Sequence, residues 1–157
     1  MAAVSEFDLF YDMLGSRLRG IGPATVTYDR LGTRPVTLGE LGLDYDLLGG
    51  RLRAIGSWVI EYDMLGSRPR MLGQWELEYD VLGSRLRRVG PYEITYKMLG
   101  TRVHTVGPMT VAYDRLGSRP KRVDLAGSHD ALPQDLLITL YLVLYEQQRR
   151  EEVRHSP

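Results

Sequence analysis

Residues Glu61 to Gly90 read EYDMLGSRPRMLGQWELEYDVLGSRLRRVG, and within these thirty positions the chain says nearly the same thing twice, 17 residues apart. The phrase Tyr-Asp-x-Leu-Gly-x-Arg recurs outward in both directions, with its Tyr at Tyr11, Tyr28, Tyr45, Tyr62, Tyr79, Tyr96 and Tyr113. The spacing never departs from 17. Leu, Gly and Arg of the phrase are invariant over the seven copies, the arginines being Arg17, Arg34, Arg51, Arg68, Arg85, Arg102 and Arg119. Asp follows Tyr in six copies, and Lys97 takes its place in the remaining one. Self-similarity at a fixed short period marks a chain built from one supersecondary unit that buries its apolar face only against its neighbours.

Ahead of each Tyr runs a period-2 pattern, such as Trp75-Glu76-Leu77-Glu78-Tyr79 or Tyr92-Glu93-Ile94-Thr95-Tyr96. Alternation of this kind predicts a half-buried strand with three apolar side chains on one face. Asp-x-Leu-Gly then predicts a tight reversal, Asp accepting a backbone bond and Gly taking the left-handed conformation that a type I turn with a bulge requires. A returning strand follows and ends at a second Gly (Gly22, Gly39, Gly56, Gly73, Gly90, Gly107). Each repeat is therefore one β-hairpin, and the connections are too short for crossovers. The fold class is mainly β: a 14-stranded antiparallel up-and-down barrel, or curled sheet, made of seven hairpins. The terminal repeats carry no special edge protection, which favours closure.

Strict alternation in the returning strand conflicts with this picture. Ile55, Leu72 and Val89 would share a face with the repeated Arg and with Arg53, Arg70 and Arg87, placing charge inside. Pro35, Pro69 and Pro120 directly follow the repeated Arg and cannot donate to a ladder, so a bulge or late strand start that switches the face is expected there. Which side of the sheet the seven Arg occupy stays open at this level.

After Asp124 the repeat stops. LAGSHDALPQ leads into Asp135-Leu-Leu-Ile-Thr-Leu-Tyr-Leu-Val-Leu-Tyr145, where only Thr139 interrupts an apolar run from Leu136 to Tyr145. A helix over 133–150 is predicted, capped by Ser128 or Asp130, and apolar on all sides, as a helix surrounded by protein or lipid is. Ten residues of helix span about 15 Å, half of a roughly 30 Å hydrocarbon layer, so no transmembrane span is expected. The length matches that of a five-residue strand, about 17 Å. Fourteen strands close around a lumen too wide for side chains alone, and a helix roughly 10–12 Å across suits it. The reading is a single domain over 1–157: seven hairpins over 7–123, a linker over 124–132, a helix over 133–150 packed inside, and a frayed tail over 151–157. The turn leucines would seal one end.

The Tyr-Asp-x-Leu-Gly-x-Arg phrase resembles the YD repeat of Rhs-type and teneurin shells over residues 7 to 123. That resemblance implies hairpins wound into a case and assigns no activity. In layout alone, a barrel around a buried C-terminal helix is similar to the tubby and scramblase-like folds.

Twenty basic residues balance twenty acidic ones, so no overall field draws the chain to nucleic acid, and no nucleic-acid partner is expected. The absence of cysteine excludes disulfides, thiolate catalysis and Cys-ligated zinc. The opening MAAVSEFDLFYD lacks a basic region followed by an apolar one, and a cytoplasmic location is the expectation. His104, His129 and His155 lack metal-ligand spacing. Ser128-His129-Asp130 reads as helix cap rather than triad, because contiguous side chains diverge. Glu61, Glu76, Glu78 and Glu93 read as solvated surface.

The seven Arg, Arg17 to Arg119, are the candidate ligand-binding residues, since a ring of guanidiniums can clamp phosphate or carboxylate. Against this, each Asp stands five residues before an Arg across a turn, close enough to pair. Arg19, Arg53, Arg70, Arg87, Arg88, Lys121 and Arg122 form a further basic set. The functional expectation is a non-catalytic structural or protein-interaction module without cofactor, with a protein partner unnamed by the sequence. The alternative is binding of anionic lipid or another phosphorylated ligand, and an enzyme with a site at the barrel mouth ranks last.

Overall fold

The computed structural model describes residues 3–12, 17–31, 34–46, 51–64, 68–80, 85–97, 102–114 and 119–155, with side chains as far as Gln148. Fourteen strands form one closed antiparallel barrel in sequence order. They are β1 (Val4–Tyr11), β2 (Leu18–Ile21), β3 (Ala24–Tyr28), β4 (Pro35–Leu38), β5 (Leu41–Tyr45), β6 (Leu52–Ile55) and β7 (Trp58–Tyr62), then β8 (Pro69–Leu72), β9 (Trp75–Tyr79), β10 (Leu86–Val89), β11 (Tyr92–Tyr96), β12 (Val103–Val106), β13 (Met109–Tyr113) and β14 (Pro120–Ala126). One helix follows, α1 (Gln134–His155).

Closure is made by the two outermost strands, which run longer than the repeat predicts. β1 pairs with β14 from Val4↔Ala126 to Asp8↔Arg122, so β14 takes up residues 124–126 of the expected linker. An ordinary junction between repeats, such as β10 with β11, is registered only at Arg88↔Glu93 and Val89↔Tyr92. Beyond the sheet, the Ser5 hydroxyl donates to the Gly127 carbonyl and accepts from the His129 N–H. A meander of this size would otherwise leave two long unpaired edges.

The expected face switch is present in every hairpin. In the fifth, Leu86 pairs with Tyr79 and Arg88 with Glu78, so Arg87 is the extra residue of a β-bulge. The shift recurs between Ala54 and Leu52 against Asp44/Tyr45, and between Met71 and Pro69 against Glu61/Tyr62. Because the bulge resets the alternation, Leu86 and Val89 both point inward and are fully buried while Arg87 stays outside. Proline is tolerated at Pro35, Pro69 and Pro120 because each opens its strand at this irregular step.

At the opposite strand ends, Gly22 to Gly107 all adopt φ of 55–61°. Each is the first residue of a two-residue connection, the position at which a hairpin turn of primed type requires glycine. These glycines also leave room for a residue of the first strand of the same hairpin: a Cβ on Gly90 would lie 2.4 Å from Cγ of Trp75. Trp58, Trp75 and Tyr92 continue edge to face, with centroids 4.9 and 5.6 Å apart. The left-handed glycine expected within Asp-x-Leu-Gly lies outside the described residues in all seven copies, as do six of the seven turn leucines. The seventh, Leu31, is exposed to solvent and seals nothing.

The bore is filled as the strand and helix lengths predict. Leu9, Val26, Leu43, Ile60, Leu77, Ile94 and Val111 are buried, and so are the last inward residues of the returning strands, Ile21, Leu38, Ile55, Leu72, Val89, Val106 and Val123. They form one core with the helix, in which six consecutive residues, Ile138 to Val143, are buried. A helix hidden on every side over nearly two turns must be surrounded. Its direction is set by two polar contacts. Tyr92 donates to Asp135 Oδ2 at 2.6 Å at the tryptophan end, and the Val103 N–H donates to Gln147 Oε1 at 2.8 Å at the arginine end.

The helix differs from expectation at both ends. Pro133 supplies the first helical carbonyl, to Leu137 N–H, so Ser128 and Asp130 lie too far upstream to cap. The helix also continues to His155, through most of the tail expected to fray. Among the described residues no helix is long and apolar enough to cross a membrane.

Candidate functional site

The invariant Tyr and Arg meet across the junctions between repeats, at the end of the barrel where the Asp-x-Leu-Gly connections lie. Neighbouring repeats pair only near the glycine end, and toward the other end the ladder stops. There the phenol of each Tyr does the work of a ladder N–H, donating to the carbonyl of the first residue in the preceding returning strand. Tyr28 donates to Leu18 at 2.8 Å, Tyr45 to Pro35 at 2.7 Å, Tyr62 to Leu52 at 2.5 Å and Tyr79 to Pro69 at 2.5 Å. Tyr96 donates to Leu86 and Tyr113 to Val103, at 2.7 and 2.6 Å. Tyr11 donates to Pro120 at 2.6 Å, which carries the ring across the closing seam.

Each ring face is then covered by a cation from the preceding repeat. Arg17 lies over Tyr28, Arg34 over Tyr45, Arg51 over Tyr62, Arg68 over Tyr79 and Arg85 over Tyr96, at 4.3–4.9 Å from guanidinium carbon to centroid. Arg119 covers Tyr11 at 4.3 Å, again across the closure. In five repeats the guanidinium lies beside the Asp of its own repeat. Nε to Oδ2 distances are 2.6 Å for Arg17–Asp12 and Arg51–Asp46 and 2.7 Å for Arg85–Asp80, lengthening to 3.5 Å for Arg68–Asp63 and 3.9 Å for Arg119–Asp114. The second carboxylate oxygen faces the backbone N–H of Arg17, Arg34 and Arg51 at 3.3–3.5 Å. The repeated phrase is thus one device: Asp orients Arg, Arg covers Tyr, and Tyr fastens two hairpins together.

Burial pushes the Tyr11, Tyr28 and Tyr45 phenols above their ordinary value, only partly offset by the guanidinium beside each. Desolvation inside the bore likewise raises Tyr141. At the other end, the hydrogen bond to Asp135, followed by burial, raises Tyr92 to about 12. These phenols are therefore neutral donors at physiological pH, suited to holding carbonyls and unsuited to nucleophilic work.

The sixth repeat departs from the pattern. Its backbone frame is unchanged, Lys97 N–H bonding Arg102 O at 2.9 Å as Asp N–H bonds Arg O in the other six. Lys97, however, extends its own Nζ over Tyr113, 5.0 Å from the centroid. Arg102, half-buried, has neither a carboxylate nor a ring beneath its guanidinium among the described residues. By sequence position the seven Arg are equivalent, and Lys97 in place of Asp is the one visible signal that Arg102 differs.

The further basic set is largely matched by acids on the outer face. Arg53 lies 3.8 Å from Asp44, Arg70 3.9 Å from Glu61 and Arg122 2.8 Å from Asp124. The bulge directs Arg87 and Arg88 to one carboxylate, Glu78, at 2.8 and 3.6 Å. Glu61 and Glu78 are accordingly surface partners of arginine rather than a converging acid pair. His104 and His129 are exposed and lie in different parts of the fold, and the side chain of His155 is outside the described residues. Among the described residues no group of three or more His, Asp or Glu could hold a metal ion. In comparisons with models of protein families, with curated proteins and with solved structures, nothing matches this chain.

Proposed function

We propose that this chain is a non-catalytic scaffold, a cytoplasmic closed barrel whose repeated residues serve its own architecture and whose rim offers a surface to a protein partner. The observation that supports this most directly is the use of the repeated phrase. Tyr bonds a carbonyl of the neighbouring hairpin, Arg covers the ring of that Tyr, and Asp pairs with the Arg of its own hairpin, as in Tyr62, Arg51 and Asp46, so the repeated motif is spent on the barrel itself. An active site requires an asymmetric constellation of groups, and near-sevenfold repetition supplies none. Leu31 and Met64 are exposed apolar side chains within the Asp-x-Leu-Gly connections of the second and fourth repeats. The resemblance to YD-repeat shells lies in construction from hairpins, with the difference that here the bore holds a helix.

The rival reading, attachment to anionic lipid through the arginines, is opposed by the acids facing most of them on the outer surface. Co-sedimentation with anionic vesicles at low and high salt separates the two. The chain is expected to remain in the supernatant under both conditions. Vesicle binding at low salt that is lost at high salt would replace the scaffold reading with a lipid-surface one, since attraction between exposed charges is screened.

A further inference from the structure

We infer that the sixth repeat carries a binding site for a carboxylate presented by an acidic segment of a protein partner, formed by Arg102 and Lys97. The inference deepens the proposed interaction role by naming the chemistry of the partner. It rests on internal precedents. In three other repeats a carboxylate sits at the base of the hairpin, bound through one oxygen to Arg Nε, at 2.6 Å in Arg17–Asp12 and Arg51–Asp46 and 2.7 Å in Arg85–Asp80. Its other oxygen approaches the arginine backbone N–H, at 3.3 Å in the Arg51–Asp46 pair. The fold therefore builds, seven times, a backbone frame shaped to hold a carboxylate against an arginine. In the sixth copy that frame is intact while the residue that would supply the carboxylate is Lys97.

The substitution does more than remove an anion. By placing its ammonium over Tyr113, Lys97 takes the ring that Arg102 would otherwise cover, so the guanidinium of Arg102 is released from both of its usual tasks. Two cations then stand at one hairpin base, which is unfavourable unless an anion lies between them. Guanidinium and a backbone N–H together match the two oxygens of a carboxylate in one plane. The surroundings suit an acidic segment. Lys97 also borders an open groove of about 510 Å³ between the fifth and sixth repeats, whose charged lining includes Arg85 and Arg87 against the single carboxylate of Asp80. Arg85 is matched there by Asp80 and Arg87 by Glu78, so the lining charge left unmatched is that of Lys97, in a protein that is neutral overall.

The test follows the arginine Nε–H and backbone signals of isotopically labelled full-length chain by NMR while a short blocked Gly/Glu peptide is added. Arg102 is expected to shift first and most, and the Gly/Gln counterpart peptide is expected to leave it unmoved. The variant Lys97→Asp restores the internal carboxylate found in the other six repeats and is expected to fold at least as well. It should bind the Glu peptide roughly tenfold or more weakly, the scale of losing a charged hydrogen-bond partner. Arg102→Gln should weaken binding to a similar extent. Shifts spread evenly over all seven Arg, or undiminished binding by Lys97→Asp, would overturn the site. Displacement of the peptide by an equal concentration of inorganic phosphate would overturn the assignment to carboxylate. None of these results depends on the vesicle experiment, so loss of the site and loss of the scaffold reading are distinguishable.

Discussion

Replacing the repeated Arg by Met, one copy at a time, tests the architectural account where it is most specific. Met keeps most of the aliphatic stem and removes the charge and the planar donors. At Arg51 the change deletes a 2.6 Å ion pair with Asp46, whose partners are 37% and 19% exposed. Partial exposure holds that pair to about 0.5–1 kcal/mol. The guanidinium over Tyr62 at 4.3 Å adds about 0.5–1 kcal/mol. The total is about 1–2 kcal/mol, or a fall in Tm of roughly 2–8 °C for a chain of this size. The same arithmetic applies to Arg17 and Arg85, whose geometry is alike. At Arg102 neither contribution is present among the described residues, so Arg102→Met should remain within about 0.5 kcal/mol of the parent, as surface changes do. Thermal and urea unfolding of the variants supplies the measurement. A flat series, in which Arg102 costs as much as Arg51 or in which no position costs anything, would refute the claim that these arginines act by covering tyrosine under the hold of aspartate.

Three further outcomes follow from the fold. Gly90→Ala should destabilise more than Gly39→Ala by about 1–3 kcal/mol, although the two share a left-handed φ, because the new methyl meets Trp75 at 2.4 Å in one case and Ala24 Cβ at 3.4 Å in the other; paired unfolding curves check this. Leu140 is fully buried within the bore, so Leu140→Ala should cost about 2–5 kcal/mol, and deletion of residues 130–157 should give an insoluble or molten product. A truncated chain that stays soluble and unfolds cooperatively would show that the barrel does not need its central helix. The third concerns alkaline pH. Unfolded tyrosine ionises near pH 10, while Tyr11, Tyr28, Tyr45, Tyr92 and Tyr141 hold their protons above that value in the fold. Stability from these groups is therefore complete below about pH 10 and falls as pH rises toward their folded values, about 12 for Tyr92. Near-ultraviolet tyrosinate absorbance of these residues should lag the ordinary titration and appear together with loss of circular dichroism, and their full ionisation in an intact barrel would contradict the burial described.

Local pattern alone carried the hairpins, because alternation and glycine spacing act over a few residues and recur without interruption seven times. Strand count, the all-apolar helix and its fit to the bore came from the same arithmetic of period and length. The Pro and Arg positions in the returning strands also announced the bulge, since no other local device reconciles buried Val89 with exposed Arg87. What local pattern could not contain was anything decided between repeats. The Tyr62 phenol reaches Leu52, ten residues away, and Arg51 covers that ring from the neighbouring hairpin. The relation is invisible until adjacent hairpins are laid side by side, and so the arginines looked like a possible ligand ring. Closure depended on the added length of β1 and β14, outside the repeat itself. The identity of Lys97 was plain in the sequence, but its consequence for Arg102 was not, because that consequence passes through Tyr113 of the following hairpin. Short-range sterics and periodicity determined the parts, and only the three-dimensional contact of one part with the next determined what their invariant side chains are for.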